Sequence, residues 1–357
     1  MMARVGVAMG AAAGLIWGAF SLLGPKTVGV SWAEKLESVA IASGETGAVR
    51  IVERVRTRPG EDFGFVELHG DLIQVEAWVR WPKGNGDRGR ARVEKPGLIY
   101  TFDGQEAIAY YPNRPEAYRA PAEQIRMDLF WPEAWLRHLM ALPDKDAEVV
   151  ANEEGNGRGR LVLRWKGPEV TGREPSFFEE FDREVEVTWD PTTRRLTGFN
   201  RWVLYQGERI LFSELVAVDY PGDFSEETFQ QQIPSDVPWG KLADAPAELN
   251  ALGPREAAEL FWRSAIAGDW ETVGIFCKSP ATMKWLRENR PVELLELGEP
   301  LRTGGYGGVY VPYKVRYAGS GTDSGGVSST AGGVIREHRM ALRNDNEFKR
   351  WVEDGGI

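Results

Sequence analysis

VEVTWDPTTRRLTGFNRWVLYQGERILFSELVAVDYPGDFSEETFQQQIP, residues 185–234, is the stretch whose reading decides the fold. Val185, Val187 and Trp189 alternate with Glu184, Glu186 and Thr188, the period of a strand with one dry and one wet face. Asp190-Pro191-Thr192-Thr193 turns the chain into a second strand over 196–205. Gln206-Gly207-Glu208 turns it again into a third over 209–219, the glycine supplying the positive φ of a tight hairpin. The third strand is apolar at both parities, with Ile210, Phe212 and Val216 on one face and Leu211, Leu215 and Ala217 on the other. A strand of that kind asks for cover on both sides.

Upstream, strands are expected over 49–57, 63–68 and 72–81, and two more over 90–112 joined at Asp103-Gly104, a strong hairpin signal. The period of a helix replaces that of a strand twice. Ser31-Trp32-Ala33-Glu34 carries capping chemistry ahead of Leu36, Val39 and Ala40. Over 127–142, Trp131, Trp135, Leu139 and Leu142 recur at spacings of three and four. The meander resumes over 148–152 and 161–165 around Asn156-Gly157, and the charge-rich run 177–186 reads as a solvated strand face.

The whole chain, 357 residues with 42% hydrophobic and 27% charged, is long enough for two folded domains. A net charge of −10, without basic clusters, excludes nucleic acid as a partner. The single cysteine, Cys277, excludes an intrachain disulfide and any cysteine-built zinc site. Residues 5–23, VGVAMGAAAGLIWGAFSLL, hold no charge, and about 19 residues at ~1.5 Å each approach the thickness of a bilayer core. The expectation is a single-pass helix in the inner (cytoplasmic) membrane, with the membrane as a partner and the bulk of the chain extracytoplasmic. A cleaved signal peptide is the rival reading; the run is long for one and no A-x-A site follows.

Trp32-Ala33-Glu34 at a helix start, Arg92-Val93-Glu94-Lys95-Pro96-Gly97-Leu98-Ile99-Tyr100, the phrase 102–112 and Trp189-Asp190-Pro191 together resemble the LolA lipoprotein carrier family and its RseB-type sensor relatives. The resemblance covers about residues 32–236. It implies a curved, half-barrel antiparallel sheet with a helical plug, acyl chains or a lipoprotein as ligand, and an envelope regulatory protein, such as a sigma-factor regulator, as partner.

Beyond a linker over 237–253, helices are expected from Pro254 to Glu288, punctuated by Gly268 and Asp269. Strands follow over 292–301, 309–317, 334–342 and 348–352, with a glycine- and serine-rich loop at 319–333. Helices first and a sheet afterwards resemble the cone-shaped nuclear transport factor 2-like (SnoaL-like) fold. The class is α+β, divided as 1–30 anchor, 31–236 sheet domain, 237–253 linker and 254–357 cone domain.

No catalytic constellation assembles. His69, His138 and His338 fall in a turn, a helix and a strand, so no metal and no cofactor is called. The carboxylate pairs Glu153-Glu154, Glu179-Glu180 and Glu226-Glu227 lie in charged runs, where two pKa values do not separate. Gly304-Gly305-Tyr306-Gly307-Gly308 joins two strands and opens no helix, so it reads as a hairpin rather than a phosphate loop. Cys277 ends an apolar helix and reads as core. One candidate site remains: Trp78, Tyr100, Phe102, Tyr110, Trp202 and Phe212 on strands, with Trp131 and Trp135 on the helix, as the lining of an apolar ligand cavity. Ordinary packing of sheet on helix accounts for the same rings, and parity alone does not choose. The expected function is non-enzymatic: binding of a lipid or lipoprotein acyl chain for transport or envelope sensing, or a protein-interaction scaffold without a small ligand.

Overall fold

The computed structural model describes residues 31–56, 66–84, 86–113, 115–121, 131–141, 147–169, 175, 177–302, 307–318, 328–330 and 333–357. Helix α1 (Trp32–Gly44) starts where the capping chemistry places it. Ser31 Oγ accepts from the Glu34 amide at 3.2 Å, and Glu34 Oε2 accepts from the Ser31 amide at 2.8 Å, satisfying two donors that the helix leaves open.

Eleven antiparallel strands follow in one sheet: β1 (Ala48–Val55), β2 (Ile73–Arg80), β3 (Arg90–Lys95), β4 (Leu98–Phe102), β5 (Glu106–Tyr111), β6 (Glu116–Pro121), β7 (Ala147–Gly155), β8 (Arg158–Trp165), β9 (Asp182–Trp189), β10 (Leu196–Tyr205) and β11 (Glu208–Asp219). A two-residue strand, β12 (Trp239–Gly240), adds in parallel to β6, and the twelve run in the order β12-β6-β5-β4-β3-β2-β1-β11-β10-β9-β8-β7. The sheet is large and curved. Its tight turns are chemically specified: Asn156 and Gly157 (φ 52° and 74°), like Gln206 and Gly207 (φ 50° and 85°), hold the paired positive φ values that match the twist of a hairpin.

Helix α2 (Pro132–Ala141) packs with α1 on one face of this sheet, called the inner face below. Leu36, Val39 and Ala40 of α1 and Leu136 and Leu139 of α2, with Trp131 just ahead of it, share one core with Val49, Ile51, Val75, Ala77, Val79, Leu161, Leu163, Val185, Val187 and Trp189. Gly159 lacks a side chain where the Trp189 indole, its cross-strand neighbour, fills the space a Cβ would take.

Several expectations are corrected. The mixed parity of β11 does not call for cover on both sides. Register shifts at Val52/Glu53 and Arg201/Trp202 are bulges in its two pairings, so Phe212 and Leu215 enter the same inner core, and Val216 is exposed. The run 177–186 is not a solvated face: Phe177, Phe178 and Phe181 are buried around a single 3-10 turn, and Glu184 is buried too. Of the strand expected over 63–68, residues 66–68 form none, and 63–65 lie outside the described residues.

No helix among the described residues is long and apolar enough to cross a membrane, which corrects the single-pass inner-membrane placement. The run 5–23 itself lies outside the described residues, as does most of the glycine run at 304–308.

The expected linker is partly built, holding β12 and the single turn α3 (Ala247–Asn250). Helices α4 (Pro254–Ala267), α5 (Trp270–Phe276) and α6 (Pro280–Asn289) follow. Gly268 closes α4 in the left-handed region at φ 74°, and the Asp269 side chain accepts from the Thr272 amide at 3.1 Å to open α5. A second, antiparallel sheet contains β13 (Pro291–Leu297), β14 (Val309–Tyr317), β15 (Ser328–Thr330), β16 (Gly333–Arg343) and β17 (Val352–Gly355). Strand β15 falls inside the stretch expected to be a loop, and β17 begins where the last expected strand was to end. Cys277 is buried in the core of this part, with Phe261, Trp262, Phe276 and Val311.

Leu36 touches the shared core from α1 and is fully buried, whereas Ile41, on the same helix, is exposed. Leu36→Ala is expected to cost about 2–5 kcal/mol and Ile41→Ala less than about 0.5 kcal/mol, read as urea midpoints. Equal losses would show that α1 is not the plug of the sheet.

Candidate functional site

Strand register sorts the eight candidate aromatic residues by face. On the inner face, Ala77 stands opposite Val93, Val93 opposite Tyr100, Tyr100 opposite Ala109, and Ala109 opposite Tyr118. The next row along runs Val79, Ala91, Phe102 and Ala107. Tyr100 and Phe102 therefore face inwards, where Phe102 packs with Ala91 and Ala107. Trp78 stands opposite Arg92, which in turn stands opposite Thr101, and Tyr110 stands opposite Ile99, so both belong to the outer face.

Trp202 is also on the outer face, paired with Glu184 and covered by the Arg209 guanidinium 3.6 Å from its ring centroid. Glu184 Oε1 accepts from Arg209 at 2.7 Å and Oε2 from Arg164 at 2.7 Å. Burial alone would raise the Glu184 pKa; the two guanidinium groups outweigh it and hold the carboxyl below its ordinary value.

The remaining three meet where the plug packs on the sheet, Trp131 and Trp135 from the plug and Phe212 from the sheet. Trp131 is buried and stacks on Trp81 at 4.8 Å, Trp135 lies 5.4 Å from Phe199, and Phe212 stacks on Phe178 at 4.8 Å. Five of the eight thus share the inner face, in two groups: Trp131, Trp135 and Phe212 under the helices, Tyr100 and Phe102 on the β3–β5 wall. Trp78, Tyr110 and Trp202 do not join them.

The β3–β6 wall differs from the rest of the inner face in what covers it. Small Ala91, Ala107 and Ala109 alternate across strands with the rings of Tyr100, Phe102 and Tyr118, and Tyr100, Ala109 and Tyr111 are only half-buried. Burial pushes the Tyr100 phenol well up, and the guanidinium of Arg343, on β16, is near enough to offset part of that shift. The second sheet therefore approaches this wall.

Contacts at both ends of the curved sheet fix that approach. At β6, the buried carboxylate of Glu116 accepts from Ser279 Oγ at 3.1 Å and from the Ala281 amide at 2.9 Å, capping α6 from the other sheet. Lys278 reaches Asp354 at 3.3 Å and lies over the Tyr118 ring at 5.4 Å. Ahead of β9, Phe177 packs on Tyr310 at 5.2 Å beneath the Arg339 guanidinium. Burial first, and then the Glu353 carboxylate, push the neighbouring Cys277 thiol well above its usual range, which favours its protonated form.

No family model matches this chain, and no curated protein does. Among solved structures, LprF from Mycobacterium bovis overlaps 57% of this chain and 96% of its own at 12% identity, with a TM-score of 0.30. MucB in complex with MucA(peri) overlaps 90% of this chain and 92% of its own at 12% identity, with a TM-score of 0.29. A putative outer membrane lipoprotein-sorting protein domain from Vibrio parahaemolyticus overlaps 55% and 97% at 11% identity, with a TM-score of 0.24. Overlaps at these scores assign neither a family nor a function.

Sequence reasoning passed over Ala109, Tyr111 and Tyr118 on the wall and Glu116 at its edge. The signal for Ala109 and Tyr111 was present: the turn at Asp103-Gly104 sets Phe102 opposite Ala107, which fixes Tyr100 opposite Ala109 and sends Tyr110 to the other side. Nothing local marks Glu116, whose partners lie 163 and 165 residues away.

The depressed Glu184 pKa has a direct consequence. Its stabilising contribution is complete above the ordinary value of 4.5 and is lost as pH falls through the lower folded-state value. Glu184→Gln is expected to cost about 1.5–3 kcal/mol at pH 7 and clearly less at pH 3, measured as urea midpoints. A cost that does not change with pH would remove the ion pairs from the account.

Proposed function

We propose that this chain is a non-enzymatic binding protein that takes an apolar ligand, a lipid or lipoprotein acyl chain, along the inner wall of β3–β6, to carry it or to report its presence. The observation that carries the reading is the half-buried part of this wall, Tyr100, Ala109 and Tyr111, which continues the inner-face row beyond Ala77 and Val93 of the core under the helices. Three gaps of about 4.8 Å from Val93 to Tyr118 give this wall a width of roughly 14 Å, with alanine as the floor and tyrosine rings as the sides. Ten methylenes buried there at about 0.8 kcal/mol each give roughly 8 kcal/mol, from which the entropic cost of association is subtracted. Little polar specificity is needed.

In this reading the sheet of residues 31–236 is one folding unit, and residues 254–357, read as a nuclear transport factor 2-like cone, are a second that stands over the wall. Of the sequence candidates, Tyr100 touches the ligand, Phe102 packs beneath it against Ala91 and Ala107, Trp131, Trp135 and Phe212 hold the plug beside it, and the outer-face residues play no part.

A second reading, a scaffold for protein contacts such as a sigma-factor regulator, is favoured by the closed packing of Trp131, Leu136, Leu139 and Leu36 under the helices. The two separate in one titration. Delipidated protein is expected to take up a brominated fatty acid with quenching of tryptophan fluorescence, Ala109→Trp to weaken uptake at least tenfold, and Tyr110→Ala to leave it unchanged. Absence of uptake by the unsubstituted protein would sink the ligand reading in favour of the scaffold. Equal effects of Ala109→Trp and Tyr110→Ala would move the ligand off this wall.

A further inference from the structure

The two edges of the large sheet are finished differently. At β6 the chain returns and seals the edge itself: β12 pairs with it, the Ala117 amide donates to Pro238 O at 3.1 Å, and Arg119 lies 4.2 Å over the Trp239 ring. At the other end, β7 is nine residues long and pairs only with β8 among the described strands. Val149 and Val150 are 44% and 45% exposed there. A long edge with exposed valines offers a row of open backbone donors and acceptors to another chain.

The charge on this edge is specific. Its sequence, AEVVANEEG, holds Glu148, Glu153 and Glu154 and no cation. Glu154 is closely paired with Arg194 at 2.7 Å. Glu148 and Glu153 are 68% and 70% exposed, and the arginines nearest them stand back at 3.8 and 3.9 Å. Those arginines are engaged more tightly elsewhere, Arg164 with Glu184 at 2.7 Å and Arg160 with Glu186 at 2.5 Å. The fields of Glu148 and Glu153 are left pointing outwards.

A regular strand would put residues five apart on opposite faces. The bulge between Val149 and Ala151 absorbs one residue, so Glu148 and Glu153 stand opposite Arg164 and Arg160 on a single face. A regular strand added on the free side would meet both carboxylates with residues four apart, the spacing that Arg160 and Arg164 have on β8. Pairing of two β7 edges about Ala151 would instead set Glu148 against Glu154 and Val149 against Glu153, which like charge and desolvation oppose.

We propose that the β7 edge is a strand-addition site for an extended segment of a partner protein carrying two Lys or Arg residues four apart, with apolar residues alternating between them. Main-chain hydrogen bonds supply the affinity, and Glu148 and Glu153 supply the choice of partner.

The test titrates the full chain with a labelled Thr-Lys-Val-Thr-Val-Lys-Thr peptide at low salt, following anisotropy and amide hydrogen exchange. Binding is expected to slow exchange over 147–155. It is expected to weaken at least tenfold when the lysines are replaced by glutamate, and as much when alternate peptide amides are N-methylated. The double variant Glu148→Lys, Glu153→Lys changes only exposed side chains and is expected to reverse the preference, taking the glutamate peptide at least tenfold more tightly than the lysine one. Equal binding of the N-methylated peptide, an unreversed preference in the double variant, or protection confined to other strands would overturn the proposal. So would protection of 147–155 that grows with protein concentration and no peptide, which would mark a second copy as the occupant.

Discussion

The apolar inner face of the twelve-stranded sheet is the constraint that the rest of the architecture answers. Side chains from β1, β2, β8, β9, β10 and β11 converge there, and a curved sheet of that width cannot leave them in water. Helices α1 and α2 cover most of that area. They pack on each other as well as on the strands, so the plug behaves as one object, with Trp131 and Leu136 at its centre.

The β3–β6 arm meets the same constraint by another route. Its inner residues are small or aromatic, and the second sheet is brought towards it through Glu116, Lys278 and the Phe177–Tyr310 contact. A buried carboxylate capping a helix that belongs to the other sheet makes the joint directional. Glu116 gives up water for the donors of Ser279 and Ala281, and parting the two sheets would break those hydrogen bonds. The outer face of the arm is covered too: the tail after β11 crosses it, with Arg92 donating to Gln230 O at 3.0 Å and Thr101 bonded to Gln231 at 3.2 Å.

Charged residues on the outer face do structural work of a different kind. Arg50 with Glu76, Arg160 with Glu186 and Arg164 with Glu184 are cross-strand pairs that tie neighbouring strands together, while Arg209 reaches from β11 across β10 to the same Glu184. Trp202 belongs to this layer under Arg209, which explains why an indole that resembles a cavity liner by composition faces away from the cavity.

The sequence by itself determined the elements whose causes are local. The Ser31–Glu34 cap, the hairpins at Asn156-Gly157 and Gln206-Gly207, the start of α4 at Pro254 and its end at Gly268 each depend on residues within one or two turns of chain. It also determined that the large sheet is antiparallel and that its apolar face needs cover, without fixing whether a helix, another sheet or a ligand supplies it. Only the tertiary structure decided what depends on register and on distant partners. Two bulges send Phe212 and Leu215 of β11 into one core, where simple alternation would part them. Register divides Tyr100 from Tyr110, and the joint at Glu116 unites residues more than 160 positions apart. The physical reason is the period of two: one slipped or bulged residue turns a side chain to the opposite face, and no local propensity records that a slip has occurred.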